Sequence, residues 1–549
     1  MMIGIDVGGT HTDGVLLSGK KTFKSIKIPT EKDNLYKSVI SALDELIKDV
    51  NPADIKRTVL STTLTTNTVV QKKTSPVAVI VSAGPGIDPE NFRIGDYYKV
   101  VKGALDHRGR EIIPIDEKEL RQTAEEIKKS GIKNIAVISK FSPRNPDHEN
   151  LQEKILSYYF DNIFKGQNVS GNLNFPARIN TTWLNASVHD SYKNFFESVS
   201  KSFVERGIKT PVHILKADGG TMPLYDSINF PAQTIFSGPA ASVMGAVPSA
   251  NKNNDTVILD IGGTTTDIAV LVKGVPVIAS DGIKINGMKT LIRAVETKSI
   301  GAGGDSFVRE ENGEIIIGPE RKGPAMAFGG DHLTVTDAFV FLGQINEGDF
   351  DKAEKGIKAL AEKTGQDMKI TAELIADKTS RTIASAFKNL VSEINNKPVY
   401  TLHDFLEGYV VNPQSVLVLG GPAEVFASRI EKLSGIKTDV VPEYPVANAK
   451  GAAMAKPTCS VTLFADTSRR QTYAPGEDFM EKTGSNYTRE DAYNDCRKLL
   501  YAKAEKMGAD MKDIEVETLE DLSFNMIRGF RSSGKNIRIT LQIKPGLIV

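Results

Sequence analysis

Two segments, half a chain apart, carry one pattern. The first is Ile3-Gly4-Ile5-Asp6-Val7-Gly8-Gly9-Thr10-His11-Thr12-Asp13-Gly14-Val15-Leu16. The second is Ile258-Leu259-Asp260-Ile261-Gly262-Gly263-Thr264-Thr265-Thr266-Asp267-Ile268-Ala269-Val270-Leu271. Each is an apolar run, then Asp-x-Gly-Gly-Thr-x-Thr-Asp, then a second apolar run, which predicts strand, tight turn, strand. Paired glycines let backbone N–H groups close on an anion, and threonine hydroxyls add donors. An aspartate ending the first strand can orient a water or hold Mg²⁺ through its hydration shell. One copy says little, because every hairpin needs a turn. Two copies with all six polar and glycine positions at identical offsets predict two turns gripping a nucleotide phosphate tail from both sides.

A chain of 549 residues is too long for one core, so two to four domains are expected. Lys plus Arg and Asp plus Glu both number 68, which removes any global pull toward nucleic acid or an anionic membrane. Neither partner is expected. Cys459 and Cys496 are too few for a disulfide scaffold, which points to the cytoplasm. The first residues enter a strand without the pattern of a leader peptide. The apolar stretch 257–277 is broken by Asp260, Asp267 and Lys273, so no membrane span is expected.

Strand-like and helical periods alternate, predicting α/β with a mixed or parallel sheet. Helices are expected over 33–50, 117–130, 147–160, 183–207, 370–396 and 447–455. Strands are expected over 58–61, 77–81, 134–139, 212–215 and 416–419. The stretch 85–109 reads as an irregular excursion. A polar, Asn-rich segment precedes the second hairpin, placing a domain boundary near residue 250. After Pro457 the pattern resets to a small α+β unit. The expected domains are 1–250, 251–456 and 457–549.

Further motifs surround the hairpins. The stretch Glu296–Ser306 is glycine-dense, and Gly301, Gly303 and Gly304 would let backbone approach a ligand. Gly420-Gly421-Pro422 follows a buried strand, where ligands of α/β sheets bind. Flat Gly-Gly backbone there suits an adenine or ribose. Two small-residue helices, from Ser237 and from Ala447, would cross closely, either at a hinge or in ordinary tight packing. Thr62–Thr68 offers hydroxyls and an amide, with Thr63 and Asn67 as candidate substrate contacts; a strand end or helix cap explains them equally well. Asp218 lies beside Gly219-Gly220 and is another candidate. Asp337, in Gly329–Ala338, either meets substrate or caps a helix with Thr336. Single histidines show no metal-ligand spacing, and no nucleophile elbow stands out.

Together these segments resemble the hydantoinase A/5-oxoprolinase family of the actin/sugar-kinase/Hsp70 ATPase superfamily. The resemblance covers about residues 2–455 and runs through Asp6–Asp13, Thr62–Asn67, Ser237–Ala241, Leu259–Asp267, Glu296–Ser306, Gly329–Leu342 and Gly420–Pro422. It implies two duplicated RNase H-like lobes with an interlobe nucleotide cleft, and a small C-terminal domain. It implies ATP with Mg²⁺, and phosphorylation of an amide, imide or carboxyl oxygen of a small molecule, as in hydantoinases and 5-oxoprolinases. Asp6 and Asp260 would orient the acceptor or Mg²⁺. Gly8, Gly9, Thr10, Thr12, Gly262, Gly263, Thr264 and Thr265 would hold phosphate. Gly301, Gly303, Gly304, Gly420 and Gly421 would face ribose and adenine. A homo- or hetero-oligomer is implied, with a hydantoinase B-type subunit as one partner. Two other activities share the pattern: the ATP-using subunit of a ketone carboxylase, and an ATP-driven activator of a partner enzyme. The chain departs from the family at Leu60-Ser61-Thr62-Thr63, where His-Gly-Thr-Thr is usual, at Asp305, where a third glycine is usual, and in its shorter C-terminal region.

Overall fold

The computed structural model describes residues 1–31, 33–279, 281–396, 409–477, 479–484, 486–528 and 531–548. Its first sheet has six strands in the order Thr221–Pro223, Val212–Leu215, Arg57–Thr62, Met2–Val7, His11–Ser18, Lys21–Pro29. Met2–Val7 runs antiparallel to His11–Ser18 and parallel to Arg57–Thr62, which is parallel to Val212–Leu215. The second sheet repeats this order around Asp255–Ile261, which is antiparallel to Thr266–Val272 and parallel to Pro413–Leu419; that strand is in turn parallel to Lys437–Val440. These are two RNase H-like lobes built on the two sequence repeats.

Period-two alternation puts Ile3, Ile5 and Val7 on one face of the first sheet. They bury against helices Leu35–Ile47 and Phe175–Glu205 through Leu43, Tyr192 and Phe196. The opposite face carries Gly4, and a Cβ there would come within 2.1 Å of the Ala449 carbonyl oxygen. Helix Ala447–Met454 can therefore lie directly on the sheet, with Ala449 and Ala453 against Val15 and Leu17. The same helix crosses Ser237–Ala246 so closely that a Cβ on Gly451 would lie 2.2 Å from the Gly245 nitrogen. Ser237–Ala246 in turn packs on the second sheet through Ala240, Met244, Ile258 and Leu417. The close crossing joins the two lobes. Although residues 447–454 fall within the expected second domain, their helix rests on the first sheet.

An inserted parallel sheet, Asn162–Lys165, Asn134–Ser139, Val77–Ser82, Tyr97–Val100, interrupts the first lobe. Tyr97–Val100 lies inside the stretch expected to be irregular. The long helix begins at Phe175, earlier than its periodicity suggests, because Asn174 caps it by accepting from the Ala177 N–H and a proline opens its first turn. The C-terminal unit is a five-stranded antiparallel sheet covered by helix Arg489–Lys506. It is tied to the first lobe at Thr221, whose N–H donates to Lys456 O (2.9 Å) and whose carbonyl accepts from Thr458 N (3.2 Å). Among the described residues no helix is long and apolar enough to cross a membrane.

Candidate functional site

The two hairpins fold alike. Asp6 pairs with Asp13 and Val7 with Thr12; Asp260 pairs with Asp267 and Ile261 with Thr266. Gly8 N donates to His11 O (3.0 Å), and Gly262 N to Thr265 O (2.8 Å), closing the same turn in each lobe. Gly9, Thr10, Thr264 and Thr265 are exposed, and Gly8, Gly262 and Gly263 are half-buried. A Cβ on Gly9 would meet nothing within 4 Å, so the first turn opens onto free space. Thr12 is a correction. It is fully buried, and its hydroxyl pairs with that of Thr30 at 2.9 Å, so it fixes the neighbouring strand instead of offering a donor to phosphate.

The aspartates of both turns share one polar pocket. The Asn448 amide, on the helix that crosses between lobes, reaches both Asp6 and Asp260. Asp6 is 5% exposed, and its Oδ1 has no hydrogen-bond partner. Burial pushes its pKa up to about 6; Asp13 and Asp260 add repulsion, while Ser61 and Asn448 pull partly the other way. Asp267 is likewise pushed up to about 6, by burial and then by Asp260. Asp13 and Asp260 also rise, chiefly through burial. Lys27 counters them: its Nζ donates to Asp13 Oδ1 (2.7 Å), across from it in the sheet. Ser242 donates to Asp260 Oδ2. Hard oxygen donors short of positive charge suit a hard divalent cation. Among the described residues no group of three or more His, Cys, Asp or Glu side chains is placed to hold a metal, so a cation here would be reached through water and phosphate oxygens.

The glycine-dense loop leans on the second turn. Gly304 N donates to Gly262 O (3.0 Å) and Asp305 N to Gly263 O (2.6 Å). A Cβ on Gly303 would lie 2.5 Å from Gly262 O, and one on Gly304 would lie 2.7 Å from Thr336 Oγ1. Gly303 and Gly304 are buried. This corrects their assignment to ribose and adenine: they support the second Gly-Gly turn. Gly301 remains exposed. Gly420, at φ +96°, would bring a Cβ within 2.2 Å of Ile261 O and 2.7 Å of Asp260 Oδ1, while Gly421 faces open space.

Thr63 borders the first turn. Its N–H and hydroxyl both donate to Val7 O, each at 3.2 Å, and Asn67 Nδ2 donates to Thr63 Oγ1 (3.3 Å). Both side chains are half-buried. Leu60, at the family's usual histidine position, is buried in the first core. Asp337 is a further correction. It is wholly buried, and its carboxylate accepts from Met326 N, Ala327 N, Thr334 N and Thr334 Oγ1, between 2.8 and 3.1 Å. It is the third residue of a capping box opened by Thr334, not a group facing substrate. Asp218 lies elsewhere, beyond the end of strand Val212–Leu215, where it accepts from Lys216 Nζ (3.0 Å), Gly220 N (3.0 Å) and Thr458 Oγ1 (2.9 Å). Burial raises its pKa, but Lys216 and the Gly220 N–H outweigh that and hold it below the usual range.

Sequence reasoning missed Asn448, Ser242 and Lys27. The first two sit in the small-residue helices, and a polar residue inside so small a stretch was their signal. Nothing marks a lysine on an exposed strand.

The sequence profile of hydantoinase/oxoprolinase matches residues 178–461, and that of the hydantoinase/oxoprolinase N-terminal region matches 2–160. An uncharacterised protein of Methanocaldococcus jannaschii is 25% identical over 448 residues, 72% of this chain and 65% of its own length. The 5-oxoprolinase of Saccharomyces cerevisiae is 26% identical over 371 residues, 62% of this chain but 28% of that protein. Caprolactamase subunit alpha of Pseudomonas jessenii is 21% identical over 483 residues, 80% of this chain and 68% of its own. A crystal structure of the ATP-dependent caprolactamase from that organism has the same fold: TM-score 0.73 at 18% identity, covering 99% of this chain and 87% of that one. This chain thus spans less than two thirds of the M. jannaschii and yeast relatives.

Proposed function

Because this chain belongs to the hydantoinase/oxoprolinase family, we propose that it uses ATP to phosphorylate an amide, imide or carboxyl oxygen of a small molecule. The observation that supports it is the Asn448 amide reaching both Asp6 and Asp260, which brings the ends of the two hairpin strands to one pocket. The Gly8 and Gly262 N–H groups are taken by the turns themselves, so Gly9, Thr10, Gly263, Thr264 and Thr265 would hold phosphate oxygens; Gly301, Gly420 and Gly421 would border the nucleoside. Asp260 would hold Mg²⁺ through water, leaving Asp6 to the acceptor. Bound Mg²⁺ supplies charge neutralisation to the phosphates.

In the reaction the acceptor oxygen bonds to the γ-phosphorus, the bond to the β–γ bridging oxygen breaks, and ADP leaves. Water then adds to the activated carbonyl carbon and the amide nitrogen leaves with a proton, giving an acyl phosphate; a second water adds to the same carbon and expels phosphate, leaving a carboxylate. Asp6, titrating near neutrality, holds a proton at the acceptor, and Thr63 and Asn67 position it. Relatives named as enzyme subunits support a hetero-oligomer with a hydantoinase B-type partner. Two free, buried cysteines accord with the cytoplasm.

The test is ADP release with Mg²⁺ and ATP, alone and with 5-oxoproline, hydantoin or caprolactam. Stimulation by one of these supports the reading. Stimulation only by a protein partner would favour an activator, and absence of nucleotide binding would overturn both.

A further inference from the structure

The two Gly-Gly turns differ in what stands over them. A Cβ on Gly9 would meet nothing within 4 Å, whereas one on the equivalent Gly263 would lie 2.6 Å from Asp305 Oδ2. A carboxylate thus lies directly against the second turn. It belongs to a residue that stands where the resemblance to the family implies a third glycine. Its place is fixed from both sides. Asp305 N donates to Gly263 O (2.6 Å), and the carbonyl of neighbouring Gly304 accepts from the Thr336 N–H (2.7 Å) and hydroxyl (2.9 Å). Thr264 and Thr265, next along the turn, are exposed.

The counter-ion arrives from the following hairpin. Strands Val308–Glu311 and Glu314–Ile317 pair antiparallel, and the chain extends that pairing beyond Ile317. Gly318 N donates to Phe307 O (2.8 Å) and Phe307 N to Glu320 O (2.9 Å). This return brings Arg321 to Asp305, where Nη2 donates to Oδ2 at 2.8 Å. Lys322 follows, its Nζ 4.2 Å from the centre of the Phe307 ring, so a second cation flanks the same loop. The Arg321 side chain is 28% open to solvent and that of Asp305 21%, so a ligand on the turn can reach the guanidinium.

Stability does not explain the pair. An ion pair open to water adds little to a fold. Burial pushes the Asp305 carboxyl up against the pull of Arg321, and Asp337 adds repulsion. A carboxylate left alone here would also repel any phosphate on the turn. What Asp305 supplies is a fixed position for Arg321. A guanidinium has five N–H donors in a planar fork, and this contact engages one nitrogen, leaving the fork able to take a phosphate oxygen.

We propose that Arg321 is a phosphate-binding residue of the second turn, that Asp305 is the positioning residue holding it there, and that the pair makes the site favour a polyphosphate chain over a bare nucleoside. This rests on the proposed use of ATP for its place in a reaction, but the phosphate contact can be measured without a nucleoside.

The experiment is calorimetric titration of the full chain with Mg²⁺–ATP, adenosine and Mg²⁺–tripolyphosphate. It compares the unmodified chain with Arg321→Gln, Arg321→Lys and the double variant Arg321→Gln/Asp305→Asn. Arg321→Gln leaves Asp305 facing the phosphates, so ATP and tripolyphosphate should bind about thirtyfold more weakly. Arg321→Lys keeps the charge without the fork and should lose about threefold. The double variant should bind both about tenfold better than Arg321→Gln alone, because the repulsion leaves with the carboxylate. A pair that only shapes the turn gives no such recovery. Adenosine should bind far more weakly than ATP, and alike in all four proteins. Unchanged ATP affinity in Arg321→Gln, no recovery in the double variant, or an equal loss of adenosine would overturn the assignment while leaving the use of ATP standing. Tripolyphosphate bound through Arg321 without binding of ATP would keep the phosphate contact and remove the proposed use of ATP. Binding of neither would overturn both.

Discussion

Replacing Asp6 by Asn should make the nucleotide-free protein more stable while nearly abolishing its turnover. Burial and the neighbouring Asp13 and Asp260 raise the Asp6 pKa from 3.8 to about 6. A tenfold change in proton affinity is worth about 1.4 kcal/mol, so the ionised carboxylate costs the fold about 3 kcal/mol above pH 6. The sign follows from proton binding. Between pH 4 and 6 the native state holds a proton that the unfolded chain has released, so stability falls as pH rises through that window. Asn cannot ionise and escapes this fall. The melting-temperature advantage of Asp6→Asn should therefore be near zero at pH 4, grow through pH 6, and level off above it. Asp267, also raised to about 6, titrates alike in both proteins and cancels from the difference. ATP turnover should drop about a hundredfold, as when an electrostatic group is lost at phosphoryl transfer. Differential scanning fluorimetry from pH 4 to 8, beside an ADP-release assay, reads both effects. A stability difference flat with pH, or a variant less stable at pH 7.5, would refute the reasoning.

Three other substitutions separate structure from function. Asp337→Ala strips three buried backbone N–H groups and one hydroxyl of their acceptor, so urea unfolding should show a loss of about 3 kcal/mol, with ATP affinity of the folded fraction unchanged. Gly451→Ala drives a methyl to within 2.2 Å of the Gly245 nitrogen and should cost several kcal/mol or prevent folding, seen as loss of the thermal transition. Gly9→Ala adds its methyl to open space, so stability should hold to within about 0.5 kcal/mol, while Mg²⁺–ATP affinity, measured by titration, drops about tenfold from blocked approach to the turn.

The hairpins were legible because their information is local: strand, Gly-Gly turn and strand are fixed by a dozen contiguous residues. Their meeting at one pocket was legible only through the repeat. The partners of the aspartates were not, because Ser242 and Asn448 arrive from distant helices whose smallness signals close crossing without saying what is crossed. Glycine density at 301–304 signals close backbone approach and leaves the approaching group open; in the fold it is the protein's own second turn. Thr12 has the right chemistry for phosphate, but Thr30, on the chain just past the next strand, claims its hydroxyl. The cap at Asp337 begins at Thr334, earlier than expected, since a capping box places its carboxylate three residues inside the helix. Tyr97–Val100 stayed hidden because a four-residue strand among glycines and charges has too little period to stand out.

The two repeats keep one backbone and divide its chemistry. In the parallel strand beside Asp6 the paired residue is Ser61; beside Asp260 it is Leu419. Asp260 is fastened by Ser242, and its Oδ1 lies where a Cβ on Gly420 would come within 2.7 Å. Its turn is braced from behind by Gly303, Gly304 and Thr336. At Asp6 the corresponding support is the Thr63 N–H and hydroxyl on Val7 O, and Oδ1 is left without a partner. A carboxylate fixed on several sides suits holding a hydrated cation in place. One that is buried, raised toward neutrality and short of a donor suits a proton that comes and goes during reaction. On the proposed reaction the second lobe would position and the first would react. Ser61, where the resemblance to the family implies glycine, is thus the residue paired with the carboxylate proposed to react.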